Sequence, residues 1–194
     1  MNDLLDNHLR IIEELECRFD RTISIDWNDR LIGLIGARGV GKTTYLLNHI
    51  KHKLSESDKA IYVSLDDIYF SNHSLVEFAG DWSKRGGTHL FLDEIHKYPN
   101  WSQELKNIYD RYKKLKVVFT GSSLLHIFSG KADLSRRAVV YTMNGLSFRE
   151  FLQIETGKEF ESYTLTEIIK NHTSIAKKIV KEVKPLAFFD DYLL

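Results

Sequence analysis

The shortages in this sequence are informative. It holds a single cysteine, Cys17, which excludes an internal disulfide and fits a reducing compartment. It has no charge excess: 27 Lys and Arg stand against 27 Asp and Glu, so there is no global basic field of the kind that holds nucleic acid. No apolar run approaches the ~18 residues of a membrane-spanning helix. The start, Met1-Asn2-Asp3-Leu4-Leu5-Asp6, is acidic and lacks the charged start and apolar stretch of a signal peptide. There is neither an internal repeat nor a low-complexity segment. These absences predict a cytoplasmic protein with no membrane partner. Its 194 residues suffice for one substantial domain with an appendage, burying roughly 70% of the surface that the unfolded chain exposes.

What is present is concentrated in one segment. Gly36-Ala37-Arg38-Gly39-Val40-Gly41-Lys42-Thr43-Thr44 contains the pattern G-x-x-x-x-G-K-[ST] of a phosphate-binding loop. The glycines let the backbone curl so that successive N–H groups point at an anion. The loop then opens a helix, whose first amides and dipole add positive potential. Lys42 reaches the β- and γ-phosphates as a point charge. The Thr43 hydroxyl is placed to ligate Mg²⁺. Four fixed positions recur by chance in about one chain in a hundred of this size, so the context decides. Leu31-Ile32-Gly33-Leu34-Ile35 reads as a buried strand. After the loop, Tyr45, Leu46, Leu47, Ile50 and Leu54 recur at helical spacing. Strand, loop and helix follow in the order that phosphate binding requires.

The rest of the chain alternates in the same way. An amphipathic helix is expected over 3–19, with Leu4, Leu5, Leu9, Ile12, Leu15 and Phe19 on one stripe, followed by a short strand over 22–26. Strands are expected over 31–35, 60–65, 89–93, 116–120 and 138–142. Helices are expected over 42–54 and 72–85, and from Asn100, which should cap a helix carrying Trp101 to Leu115 with Gln103 completing a capping box. A short helix or turn covers 124–128. This alternation predicts an α/β fold with a parallel sheet of about five strands covered on both faces. From Ser147 the pattern turns helical, with capping boxes at Ser147/Glu150 and Thr164/Glu167 and a stop at Pro185. The organisation expected is a phosphate-loop domain over 1–155 and a helical segment over 156–194 that begins a further domain.

Ligands on parallel sheets bind at the carboxyl ends of the strands, where the loop, Asp66, Asp93 and Thr120 all fall. Leu90-Phe91-Leu92-Asp93-Glu94 has the form of a buried strand ending in a metal carboxylate. Asp93 would hold Mg²⁺ directly or through water, and Glu94 would orient or deprotonate the attacking water. The cluster Thr120, Ser122 and Ser123 offers a hydroxyl to hold that water or sense the γ-phosphate. Arg136 or Arg137 is a candidate to stabilise charge on the transferred phosphoryl group, and Arg38 lies inside the loop. Asp66-Asp67 is a further acidic pair, of metal-side or structural role.

In these segments the chain resembles the AAA-type P-loop ATPases of bacteria and archaea that carry a C-terminal domain of unknown function. The resembling stretches are the loop, Val63 to Asp67, Leu90 to Trp101 (LFLDEIHKYPNW), Val118 to Ser123, Leu134 to Arg137 and Gly145 to Phe151. The resemblance implies a three-layer P-loop NTPase sandwich of the additional-strand, catalytic-glutamate type, with Glu94 as the catalytic carboxylate. It implies ATP as the nucleotide, since no N-K-x-D guanine motif follows the fourth strand. It also implies an arginine, Arg136 or Arg137, that reaches a neighbouring subunit's nucleotide in a homo-oligomer. Members of the family are longer than this chain, which places a nucleic-acid or protein partner on the missing C-terminal part. The expected activity is Mg²⁺-dependent ATP hydrolysis. A nucleotide-dependent switch with little hydrolysis, or a nucleic-acid-remodelling ATPase, are the alternatives.

Overall fold

The computed structural model describes residues 1–16, 19–121, 134 and 136–193. Cys17, Ser122, Ser123, Ser135, Leu194 and the turn expected over 124–128 lie outside the described residues. The chain divides into two compact units, Met1–Asn144 and Gly145–Leu194. The division expected after residue 155 falls inside a helix of the second unit.

The first unit is built on strands β1 (Leu31–Ile35), β2 (Ala60–Ser64), β3 (His89–Asp93), β4 (Lys116–Gly121) and β5 (Val139–Thr142). They form one parallel sheet in the order β2-β3-β4-β1-β5. The central strands are apolar on both sides because helices cover both faces. Alternate residues face opposite ways. Leu31, Ile61, Val63, Leu90, Leu92, Val117 and Phe119 pack with α3 (Leu75–Lys84) and α4 (Trp101–Arg111). Ile32, Leu34, Phe91, Val118 and Tyr62 pack with α2 (Lys42–His52). Helix α1 (Asn2–Glu14) runs over the β2 edge, with Leu4 in the first core and Ile11 and Ile12 against the second. There His8 Nδ1 accepts the Tyr62 backbone N–H at 3.2 Å. Strand β4 lies between the strand feeding the loop and the strand carrying Asp93. This insertion matches the strand order expected of the additional-strand type of P-loop NTPase sandwich.

Several expected boundaries shift, each for a local reason. The first helix ends at Glu14 because Leu15 turns extended, with φ −64° and ψ 111°. Residues 22–26 form no strand: the Ile23 carbonyl accepts the Tyr45 hydroxyl and the Asp26 amide donates to the Tyr141 hydroxyl, so side chains replace a ladder. Helix α3 starts at Leu75 because Ser74 and Glu77 form a capping box. Asn100 does precede α4, but it adopts φ 57° and its side chain makes no cap bond, since capping needs an extended residue. Gln103 bonds Asn107 rather than closing a box.

The second unit contains α5 (Phe148–Thr156), α6 (Leu165–Glu182) and α7 (Phe189–Leu193). Both expected capping boxes form, at Ser147/Glu150 and Thr164/Glu167. Phe148, Phe151, Phe189 and Tyr192 cluster, the Phe148 and Tyr192 rings lying 5.2 Å apart. No described helix is long and apolar enough to cross a membrane.

Candidate nucleotide site

The loop curls because Gly39 and Gly41 take φ of 83° and 91°, a region that side chains rarely enter. Gly41 then starts α2, and its carbonyl accepts the Tyr45 amide at 2.9 Å. Ala37, Arg38 and Gly39 are exposed at the tip, and Thr44 is exposed in the first turn. Lys42 is buried, 5% exposed. Its ammonium donates to the carbonyls of Gly36 at 3.0 Å and Ala37 at 2.8 Å.

Across the carboxyl edge of the sheet, Asp93 is the point on which the site converges. It is 3% exposed at the end of β3. Its Oδ2 accepts the Thr43 hydroxyl at 2.6 Å and the Tyr62 phenol at 2.8 Å. Its Oδ1 accepts the Thr120 hydroxyl and, at 3.1 Å, the Glu94 amide. That amide also lies 3.2 Å from Thr120 Oγ1. Burial, with Asp93 beside it, pushes the Tyr62 phenol above its ordinary range, so it stays a donor. Glu94 leaves the strand in the left-handed region, φ 54°, uncommon for a residue with a side chain. Its carboxylate is partly exposed, with Oε2 3.3 Å from His96 Nε2.

Lys42, Thr43, Asp93, Glu94 and Thr120 are thus brought to one edge. The two arginines are not. Arg136 and Arg137 precede the amino end of β5, on the opposite edge of the sheet. Arg137 bonds Asp110 of α4 through Nε at 3.0 Å and Nη2 at 3.2 Å; Arg136 is exposed. The acidic pair divides: Asp67 caps the turn Ile68–Ser71 by accepting the Tyr69 amide, while Asp66, exposed, accepts the Ser64 hydroxyl.

Two residues at this edge escaped the sequence reading. Tyr62 lies in a strand that reads as plain core. Its signal is register: Tyr62 pairs with Phe91 and Ser64 with Asp93, so strand alternation turns Tyr62 to the face that Asp93 occupies. Arg21 donates to the Val40 carbonyl at 2.6 Å and to the Asn144 carbonyl at 2.8 Å, tying the loop to the segment after β5. No motif marks it.

The donor set suits Mg²⁺. The Thr43 hydroxyl gives its proton to Asp93 and keeps oxygen lone pairs for a cation. Both partners are hard oxygen donors. Among the described residues no group of three or more His, Cys, Asp or Glu is placed to hold a metal. Mg²⁺ commonly uses one or two protein oxygens and takes the rest from phosphate and water.

Loop, inserted strand and buried carboxylate define a P-loop NTPase domain. The chain belongs to the AAA_14 family, an AAA domain, whose model matches residues 28–152, and with it to the AAA-type P-loop ATPases. It is 31% identical over 178 residues to Uncharacterized protein MJ1637 of Methanocaldococcus jannaschii, an alignment covering 87% of this chain and 37% of the relative. The chain thus spans little more than a third of that relative's length. A solved structure of PCH-2 from C. elegans is similar with a TM-score of 0.44 and 18% identity, over 62% of this chain and 37% of that one.

Proposed function

We propose that this chain binds ATP with Mg²⁺ and hydrolyses it to ADP and phosphate. The observation that carries the reading is the Thr43 hydroxyl on Asp93 at 2.6 Å, with Glu94 next in the chain. Lys42 exchanges the carbonyls of Gly36 and Ala37 for phosphate oxygens, and the loop amides hold the β-phosphate. Mg²⁺ held by Thr43, with Asp93 behind it, would neutralise charge on the phosphates. Glu94 orients and deprotonates the attacking water, a role worth about 10²–10⁴-fold in rate. Thr120 fixes the Asp93 carboxylate and the Glu94 amide, and the hydroxyl that holds the attacking water or senses the γ-phosphate is drawn from Thr120, Ser122 and Ser123. Arg136 serves the nucleotide of a neighbouring subunit, because its place at the amino edge keeps it from its own. That role requires a homo-oligomer. A protein or nucleic-acid partner is assigned to the part of the relative's length that this chain does not span.

Purified protein should hydrolyse ATP only with Mg²⁺. Glu94→Gln should bind ATP and turn it over about 10²–10⁴-fold more slowly. Equal turnover in the two proteins would remove Glu94 from its role.

One observation favours a second reading, a nucleotide-dependent switch with slow hydrolysis. The Glu94 carboxylate already has a partner in His96. Tight ATP binding without phosphate release, in wild type and His96→Ala alike, would support it.

A further inference from the structure

An ionised carboxylate has about four lone-pair positions. On Asp93 all four are filled from within the chain, by Thr43 and Tyr62 on Oδ2 and by Thr120 and the Glu94 amide on Oδ1. A cation that took Asp93 as a direct ligand would have to displace one of them. Three have an evident origin. The amide is the next link of the backbone, Thr43 belongs to the loop, and Thr120 stands on the adjoining strand. Tyr62 differs. It reaches across from β2, on the far side of β3 from the loop, with its ring buried in the core. Its hydroxyl ends on the acceptor position that Thr43 leaves open.

We propose that Tyr62 is a positioning residue that sets which metal the site accepts. The inference rests on the nucleotide reading above. By filling the last position on Oδ2, the phenol keeps Asp93 out of direct coordination. Asp93 then acts through Thr43, whose oxygen meets the cation. Mg²⁺ suits such a site, because it dehydrates reluctantly and takes few protein ligands. Ca²⁺ collects more oxygen ligands in flexible geometry and gains from a carboxylate. Withholding that carboxylate therefore discriminates against Ca²⁺.

The test compares wild type with Tyr62→Phe, which removes one hydroxyl and keeps the ring. ATP binding to the full chain is measured by calorimetry without metal, then across titrations of Mg²⁺ and of Ca²⁺. Metal-free ATP affinity should be unchanged. The half-saturating Ca²⁺ concentration should fall roughly five- to tenfold relative to that for Mg²⁺, the effect of about one hydrogen bond. Thr120→Val, which opens Oδ1 instead, should shift the preference the same way. ATP binding with an unchanged Ca²⁺ to Mg²⁺ ratio in both variants overturns the proposal while leaving the nucleotide reading intact. A parallel loss of metal-free and metal-dependent affinity overturns it too, since that is the signature of a merely structural tyrosine. No ATP binding by wild type under any condition removes the nucleotide reading and this proposal with it.

Discussion

The carbonyl oxygen of Met143 occupies the place where a side chain on Gly36 would begin. The Met143 amide, in turn, donates to the Ile35 carbonyl at 2.7 Å. The chain leaving β5 therefore lies directly against the first residue of the phosphate loop, and only glycine permits it. Gly36→Ala must push the loop or the 143 segment aside. We expect ATP affinity to fall at least about tenfold, a cost of ~1.4 kcal/mol or more, with the secondary structure by circular dichroism unchanged. Wild-type affinity in this variant would show that the loop adjusts freely.

Acid should destabilise the first unit through His49. Its ring is buried and stacks on Trp27 with centroids 3.5 Å apart. Burial, then Lys53 on the next turn and His89 from β3, lower its pKa from 6.5 to about 4. The folded state thus holds this proton more weakly than the unfolded state does. Stability from this group is complete above about pH 6.5 and is lost as pH falls toward about 4, reaching on the order of 3 kcal/mol. Urea midpoints at intervals across that window measure it. His49→Phe keeps the stacking and should flatten the profile. It should not abolish the slope, because burial also lowers the pKa of His8 and His89.

If Arg136 completes a neighbour's site, turnover per subunit should rise with protein concentration, and Arg136→Ala should remove the rise. A trans arginine is worth about 10³–10⁵-fold when engaged, so the contrast should be large. Arg137→Ala should act mainly on stability, through the lost contact with Asp110, because partly exposed ion pairs are worth about 1 kcal/mol or less. Turnover per subunit that is constant across concentration in wild type would argue against the trans role.

The sheet was legible because doubly covered parallel strands leave short apolar runs, and 31–35 and 89–93 match to the residue. The meeting of the loop, Asp93 and Glu94 at one edge was legible because all of them stand at the carboxyl ends of parallel strands, which finish on the same side of the sheet. What was not legible depends on contacts distant in sequence. The stripe from Leu4 to Phe19 continues past Glu14, yet Leu15 turns extended and the helix stops. Asn100 and Gln103 spell a cap, but Asn100 sits at φ 57° and Glu104 instead accepts the Val76 amide and the Tyr98 hydroxyl. Tyr62 and Arg21 act on partners 31 and 19 residues away, separations that no local pattern carries.

The His8 contact with the Tyr62 amide has a consequence at the rim of the sheet. An open rim strand is a template on which another chain can add a strand. Here an imidazole nitrogen holds one of the donors that such a strand would need. Only an uncharged imidazole has a lone pair to offer, and burial favours that form. Protonating His8 would uncover the amide, making β2 the border along which acid-stressed molecules join edge to edge.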